Sequence, residues 1–469
     1  MSQVMVRDVE SLRAAVVGEV LVGQDPGYDE ARALWNGGID RRPAVVVRPV
    51  QAADVSVAIA FAREHGLEVA VRGGAHGASG AAVTEGGLMI DLSRMREVRV
   101  DPGGRRCVVG GGATLAERDT ATQKHALATP GGIVGHTGVG GLTLGGGMGW
   151  LTRKHGLSID NLLSAEVVVA DGRILRASRD ESPELFWALR GGGGNFGVVT
   201  EFEFLLHPVG PLVDFGLFFW PLEQGAEMFR LARDLFSDLS RDVNIIVAGI
   251  NAPPEPFVPQ EHWFRAGYAL LVGGFGAAEP QAAVVERIRT ELPPLFEMVT
   301  QVPYAQLQQM FDEANAFGFH AYDKSVYVED LSDDVIEVVT AYQPRKASPR
   351  TATFVYRLDG AYCEVGEDDT AFGGGRTPRY VVFLIALADN VAMFEADRDW
   401  ARSFWAALLP HATGIGTYVN GEYEFSRGQL RNSYGPEKYE RLRRIKATYD
   451  PDNLFHLNGN IPPADGDQR

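Results

Sequence analysis

A chain of 469 residues, 45% apolar and 22% charged, has the length of two or three globular domains and the composition of neither a disordered nor a fibrous protein. A formal net charge of −17 argues against a polyanionic partner such as nucleic acid, and no stretch approaches the roughly 20 apolar residues needed to span a bilayer. Two cysteines, Cys107 and Cys363, are too few for a disulfide framework, and the start lacks the basic-then-apolar plan of a signal peptide, so a reducing, cytoplasmic setting is expected.

The first 20 residues read as an amphipathic helix. From about Arg42 to Pro208 strand and helix signals alternate. Val45–Val47 is a β-branched run, and Val55 to Arg63 carries apolar residues at helical spacing and stops at His65-Gly66. Leu67–Val71 is the next strand and leads into Arg72-Gly73-Gly74-Ala75-His76-Gly77. Leu88–Leu92 reads as a strand. Val98–Val100 and Cys107–Val109 read as a hairpin around Asp101-Pro102-Gly103-Gly104. Leu115 to Ala126 is helical. Ala165–Val169 and Ile174–Arg176 form a second hairpin across Asp171-Gly172. Ser182-Pro183-Glu184 starts a further helix.

After His207-Pro208 the style changes. β-rich runs (Phe215–Phe219, Ile245–Ala248, Ala269–Val272, Thr353–Arg357, Tyr380–Leu387) alternate with longer amphipathic helices, which predicts a largely antiparallel sheet backed by helices. Near Thr413 the pattern shifts again, and Tyr434 to Leu454 reads as a helix with a turn at Asp450-Pro451-Asp452-Asn453. The basic run Arg441-Leu442-Arg443-Arg444-Ile445-Lys446 is expected to face water. The expected division is residues 1–208, 209–411 and 412–469, with no internal repeat.

Four glycine clusters stand out: Gly73–Gly77, Gly110–Gly112, Gly131–Gly149 and Gly191–Gly197. Glycine-rich backbone lets a flat or anionic ligand touch main-chain N–H groups. Four such loops among strands predict a bed for one large phosphate-bearing cofactor, although Gly110–Gly112 alone would read as a tight turn. Gly192-x-Gly194-x-x-Gly197 matches the dinucleotide fingerprint in letters only, because the helix precedes it and the strand follows it. A phosphate-binding Gly-x-x-x-x-Gly-Lys-Ser/Thr loop, a zinc-type histidine pair and a Gly-x-Ser-x-Gly elbow are all absent, so no metal is expected.

Arg72–Gly77, Pro130–Gly149, Asp160-Asn161 and Gly191–Thr200 together resemble the FAD-binding domain of the vanillyl-alcohol oxidase flavoprotein family. The tail motifs Tyr418-Val419-Asn420, Tyr434-Gly435-x-x-x-Tyr439-x-Arg441-Leu442, Lys446-x-x-Tyr449-Asp450-Pro451-x-Asn453-x-Phe455 and Asn458-x-Asn460-Ile461-x-Pro463 resemble its berberine bridge enzyme-like branch. The likeness runs over about residues 35–205 and 350–463; the middle is similar in style only. It implies an α+β, two-domain PCMH-type FAD-binding fold, whose second, α/β substrate domain is built on the largely antiparallel sheet. It also implies FAD held by Arg72, Gly73, Gly74, Ala75, His76 and Gly77, by Ile133, Val134, His136, Thr137, Gly138, Gly141, Leu142 and Gly147, by Gly197, Val198 and Val199, and by Asn420 and Asn460. His76 would carry the flavin through a bond to its 8α carbon. Relatives with a second link use a cysteine where this chain has Val134, so a single link is expected, and Cys107 lies too early to substitute. Leu142 replaces a histidine of plant relatives, which removes a polar contact to the flavin.

Flavin chemistry moves a hydride to N5 and a proton to a base. Many relatives place an active tyrosine directly after the asparagine; here Gly421 stands there, followed by Glu422 and Tyr423. The base is then Tyr418, Tyr423 or a carboxylate, with Asp369 the leading carboxylate because residues 364–372 resemble a segment that faces the flavin in relatives. A tyrosine serves only if a cation or hydrogen bonds lower its pKa. Thr137 falls at the family's oxygen gate and is close to valine in shape, which favours an oxidase that takes a hydride from a C–H beside a hydroxyl of a small molecule and passes electrons to O2, giving H2O2. A dehydrogenase, oxidation of an amine, an oxidative ring closure and a flavin-holding protein without turnover are the alternatives. Phe317, Phe319, Tyr322, Tyr327 and Tyr356 either line the substrate pocket or belong to the core; the substrate and the oligomeric state are left open.

Overall fold

The computed structural model describes residues 3–412 and 416–464. Thr413, where the sequence style shifts, lies outside the described residues. Residues Val45–Arg48 form the heart of a four-stranded sheet ordered Glu19–Leu21, Val45–Arg48, Leu88–Asp91, Val69–Arg72. The last three strands run parallel. Parallel strands are covered on both faces, which is why Val45–Val47 and Leu88–Ile90 are unbroken apolar runs with no exposure. The helix Ala52–Glu64 crosses over between two of these strands and buries Val55, Ala58, Ile59 and Ala62 against them.

A second sheet, five-stranded and antiparallel, is ordered Val98–Asp101, Arg106–Gly110, Val198–Leu205, Leu162–Val168, Ile174–Ser178. Both hairpins read from turn chemistry occur in it, and the helix Pro183–Leu189 precedes the Gly191–Gly197 loop as expected.

The third sheet draws all its residues from the stretch between Leu212 and Ala388. Its seven antiparallel strands are ordered Phe296–Pro303, Leu212–Pro221, Ala266–Gly274, Val243–Asn251, Ala352–Leu358, Arg379–Ala388, His320–Val328. Side chains alternate between two buried faces. Phe218, Leu270, Tyr322 and Val382 pack under the helices Gly225–Ser237, Ala278–Glu291, Asp333–Tyr342 and Val391–Leu408. Their neighbours Phe219, Leu271, Tyr327 and Val381 pack against Trp150, Leu151, Leu157 and Ile159 from the glycine-rich half. Burying both faces of one sheet, one under helices and one on the other lobe, puts a seam between sheet and glycine-rich half in which a ligand can be enclosed.

The tail closes the seam. The helix Pro436–Tyr449 seats Leu442 and Ile445 on Leu185, Phe186 and Trp187. The basic run within it does not simply face water. Arg441 pairs with Glu184 at 2.6 Å near the surface, but Lys446 is fully buried: its ammonium donates to the Asn195 carbonyl at 2.6 Å, to Asp450 at 2.6 Å and to the Phe455 carbonyl at 2.8 Å. A buried charge needs such complete pairing, and the result ties the tail to the Gly191–Gly197 loop. Among the described residues no helix is long and apolar enough to cross a membrane.

Candidate functional site

The glycine loops are brought together by contacts that exclude side chains. A Cβ on Gly74 would stand 2.2 Å from the Gly138 nitrogen, and a Cβ on Gly138 would stand 2.2 Å from the Gly74 nitrogen. The His76 loop and the Gly131–Gly149 run therefore cross backbone on backbone. From the tail, Asn420 donates through Nδ2 to the Leu142 carbonyl at 2.8 Å and to the Tyr418 hydroxyl at 3.0 Å, and the Gly147 N–H donates to the same hydroxyl at 3.0 Å. A cavity of about 390 Å³ lies between these loops, the Gly192–Gly197 loop and the wall of the seven-stranded sheet.

His76 stands on the cavity wall. Ala75 before it takes a left-handed conformation, φ 58°, which turns the chain at the loop. The imidazole is stacked between Trp35, with centroids 4.5 Å apart, and His136, 5.0 Å away. Burial, with the neighbouring His136, pushes the His76 pKa down to about 3, so the ring is neutral, and its Nε2 is buried with no hydrogen-bond partner. A neutral imidazole with a free ring nitrogen is a nucleophile rather than a cation.

The opposite wall is a patch of the sheet formed by Asp323, Phe354, Tyr356, Phe383 and Ile385, with Phe311 and Asn315 beside it. Asp323 pairs in register with Ile385 on the neighbouring strand. The tail docks here too: the Tyr423 N–H donates to the Asp323 carbonyl at 3.0 Å, and Glu422 accepts from the Ser325 N–H at 3.0 Å and from the Lys324 ammonium at 2.8 Å. Gly421 packs against this wall: a Cβ there would meet the Phe383 ring at 2.8 Å. The Asp323 carboxyl borders the cavity, and its Oδ1 is buried without a partner. Burial, and then the charge of Glu422, push its pKa up to about 7.

Most of the residues that the sequence assigns to the cofactor border this cavity: Gly73, Gly74, Ala75, His76, Gly77, Ile133, Val134, Thr137, Gly138, Gly141, Leu142, Gly197, Val199 and Asn420. Five do not. Arg72 is turned to the Ala31 carbonyl and to Asp91, Val198 points into the core as its strand alternates, Gly147 is held behind by Tyr418, His136 sits outside His76 with Nε2 3.3 Å from the Asp312 carbonyl, and Asn460 follows the lining pair Asn458 and Gly459.

The three candidate bases divide as well. Tyr418 lines the cavity, but burial pushes its phenol up to about 12; the two donors on its oxygen only partly offset that, and no cation among the described residues lowers it. Tyr423 lies away from the cavity with its ring 5.0 Å from that of Tyr322, under the helix side of the sheet. Asp369 is on an exposed loop, where it accepts from the Gly366 N–H at 3.0 Å. Of the aromatic residues, Tyr356 lines the cavity, Tyr322 and Tyr327 are core, Phe319 stacks under Arg350, and Phe317 leans on His136. Sequence reasoning missed Asp323. The available signal was a carboxylate in the middle of a strand whose two faces are both buried, on the face shared by Ala321, Ser325 and Tyr327.

Two family descriptions match the chain: "FAD binding domain" over residues 43–178 and "Berberine and berberine like" over residues 417–462. The chain is 40% identical to the FAD-linked oxidoreductase pgmH of Aspergillus terreus, over 97% of its own length and 96% of the relative's. It is 30% identical to the (R)-6-hydroxynicotine oxidase of Paenarthrobacter nicotinovorans, over 96% and 97% of the two chains. The crystal structure of 6-hydroxy-D-nicotine oxidase from Arthrobacter nicotinovorans superposes with a TM-score of 0.84 at 27% identity, covering 96% of this chain and 98% of that one. The residues present fit an FAD: backbone-walled loops that a single Cβ would block, and a neutral imidazole on the cavity wall whose Nε2 has no partner. No lysine or arginine is among the described lining residues, so a pyrophosphate there would be met by main-chain N–H groups.

Proposed function

Since this chain belongs to the berberine bridge enzyme-like FAD-linked oxidoreductases, we propose that it is an oxidase, taking a hydride from a C–H beside a hydroxyl of a small molecule and using O2 as the final electron acceptor, with H2O2 as product. One observation carries the reading: the same cavity is bordered by glycine backbone and His76 at one end and by an aromatic wall with one carboxylate at the other. A bound flavin supplies the two-electron acceptor. The loops would orient it, and held geometry of this kind lowers a barrier by roughly 7–11 kcal/mol. Main-chain N–H groups of the Gly131–Gly149 run would offset negative charge as it develops. The sheet wall would exclude water and press the substrate against the ring. Thr137, on the cavity wall, would admit oxygen.

The attachment would be a single bond from His76. Three features support it: the imidazole is neutral, Val134 stands on the cavity wall where a second link would come from, and Cys107 is buried in the core with its thiol pushed up to about 12 by burial. The proposed division is a cofactor domain over residues 1–208, a substrate domain over 209–411 and a returning segment over 412–469; a cytoplasmic location is proposed with it. The test is the visible spectrum of the purified protein before and after acid precipitation, followed by a peroxide-coupled substrate panel. Yellow colour that stays with the precipitate of the wild type and leaves that of His76→Ala supports the tether; colour retained by His76→Ala refutes it. Turnover with no peroxide released would make the protein a dehydrogenase.

A further inference from the structure

On the reading of this cavity as the flavin and substrate site, we propose that Asp323 takes the proton from the substrate and that the substrate is a neutral alcohol with an aromatic or alicyclic body. The position that many relatives fill with a tyrosine is Gly421, and a side chain there would require the Phe383 ring, 2.8 Å from the added Cβ, to turn aside. The chain next to that glycine is pinned to the strand that carries Asp323, through the Tyr423 N–H on the Asp323 carbonyl at 3.0 Å and the Ser325 N–H on Glu422 at 3.0 Å. Asp323 and Gly421 thus border one cavity, Asp323 lying two residues along the strand from the Ser325 that faces Gly421. Asp323 borders the cavity and is only half-buried, so a hydroxyl bound there would donate to its carboxyl group.

The charges around it suit a base rather than a salt bridge. The titratable groups bordering the cavity are His76, Asp323, Tyr356, Tyr418, Glu422 and Tyr434. His76 is neutral, and burial raises the pKa values of Tyr356, Tyr418 and Tyr434. Glu422 is bound to Lys324, whose ammonium lies on the helix side of the strand beside Trp405. The strand on the other side of Asp323 offers Ile385. Burial and the charge of Glu422 leave the carboxyl titrating at about 7, which is where a general base works best at neutral pH.

The same wall selects the substrate. Phe311, Phe354, Tyr356, Phe383 and Ile385 offer flat apolar surface, and no lysine or arginine among the described lining residues could receive a carboxylate or phosphate. A saccharide would leave several hydroxyls unpaired against these rings, at a cost for each. A cationic amine would pair with Asp323 and keep the proton that the chemistry must remove. In the proposed step the O–H bond breaks and its proton goes to the Asp323 carboxylate. The adjacent C–H bond breaks with its electron pair, hydrogen and electrons leaving as hydride to the oxidised flavin, and the C–O bond becomes C=O. The substrate loses two electrons and two hydrogens, and Asp323 returns its proton to solvent.

Two measurements test this. In the first, flavin-loaded wild type, Asp323→Asn and Asp323→Glu are mixed anaerobically with benzyl and cinnamyl alcohols, with cellobiose and xylobiose, and with benzylamine, and loss of flavin colour is timed. Asp323→Asn is expected to reduce its flavin at least about 100-fold more slowly with the best alcohol, Asp323→Glu to recover part of the rate, and the wild-type rate to rise through about pH 7 while that of Asp323→Asn stays flat. Equal rates in wild type and Asp323→Asn overturn the proton transfer; faster reduction by the saccharides or the amine overturns the substrate class. The second is thermal melting of the same proteins from pH 4 to pH 9, which needs no turnover. A carboxyl whose pKa is raised by folding stabilises below its unfolded value and loses that contribution as pH rises through its folded value. Asp323→Asn should therefore melt above the wild type beyond pH 7 and converge with it near pH 4. A constant difference across the range overturns the assignment of Asp323. A protein that takes up no flavin would refute the oxidase reading, while the melting curves would still decide on Asp323.

Discussion

The two ends of the cavity are built from different material. The loop end is backbone: Gly74 and Gly138 touch main chain to main chain, and the tail reaches the run through the Leu142 carbonyl and the Gly147 N–H. The sheet end is side chain: three rings, an isoleucine and a carboxylate brought side by side by strand pairing, with Phe311 beside them. A backbone-built surface tolerates one residue type and so marks the sequence in a fixed order. A side-chain surface tolerates many residues, because packing asks only for volume and burial.

The strongest way to break that contrast is Gly74→Val. The new side chain would start 2.2 Å from the Gly138 nitrogen, where backbone has nowhere to move. Destabilisation beyond about 4 kcal/mol belongs to such sites, so the protein is expected to lose its flavin and to unfold at markedly lower urea concentration. Denaturation followed by fluorescence measures it; a midpoint within the scatter of the wild type would mean that the loops do not cross as described.

At the sheet end the matching experiment is Gly421→Tyr, which restores the residue type found in many relatives. The Cβ would stand 2.8 Å from Phe383, the far end of a ring that can turn. Overpacking of this kind costs about 1–3 kcal/mol, less than at Gly74, and the added ring would take up room in the cavity that Gly421, Phe383 and Asp323 border. Flavin content should persist while reduction by substrate falls. A fully active Gly421→Tyr protein would show that the wall is far looser than the packing of Phe383 implies.

This difference in material explains what was legible. The glycine loops, both hairpins and the antiparallel sheet follow from turn residues and periodicity, and the family resemblance picked out the loops that border the cavity. Asp323 was not visible because nothing within His320–Val328 states which face meets the cavity; that depends on Ile385 and on the docking of Tyr423, 100 residues away in sequence. Tyr418 and Asn420 were found by motif, but the motif does not carry burial, which moves the phenol away from the range a base needs. Lys446 was misread for a related reason: a basic run looks solvated unless the carbonyls of Asn195 and Phe455 are known to converge on it.

Asp369 sharpens the contrast from its quiet side. Its segment looks like one that faces the flavin, yet the residue sits in an exposed turn, where its carboxylate accepts from the Gly366 N–H at 3.0 Å and lies within the field of Arg190. The contact it makes with the cofactor half is through its carbonyl, which accepts from Arg190 at 2.7 Å and survives any side-chain change. Asp369→Ala is therefore expected to shift stability by no more than about 0.5 kcal/mol and to leave the rate of flavin reduction and its pH dependence unchanged. Anaerobic reduction of wild type and variant at pH 6 and pH 8 measures this. A large loss at pH 8 would move the base out of the sheet and onto the loop, and with it the claim that the chemistry of this site is carried by the strand face.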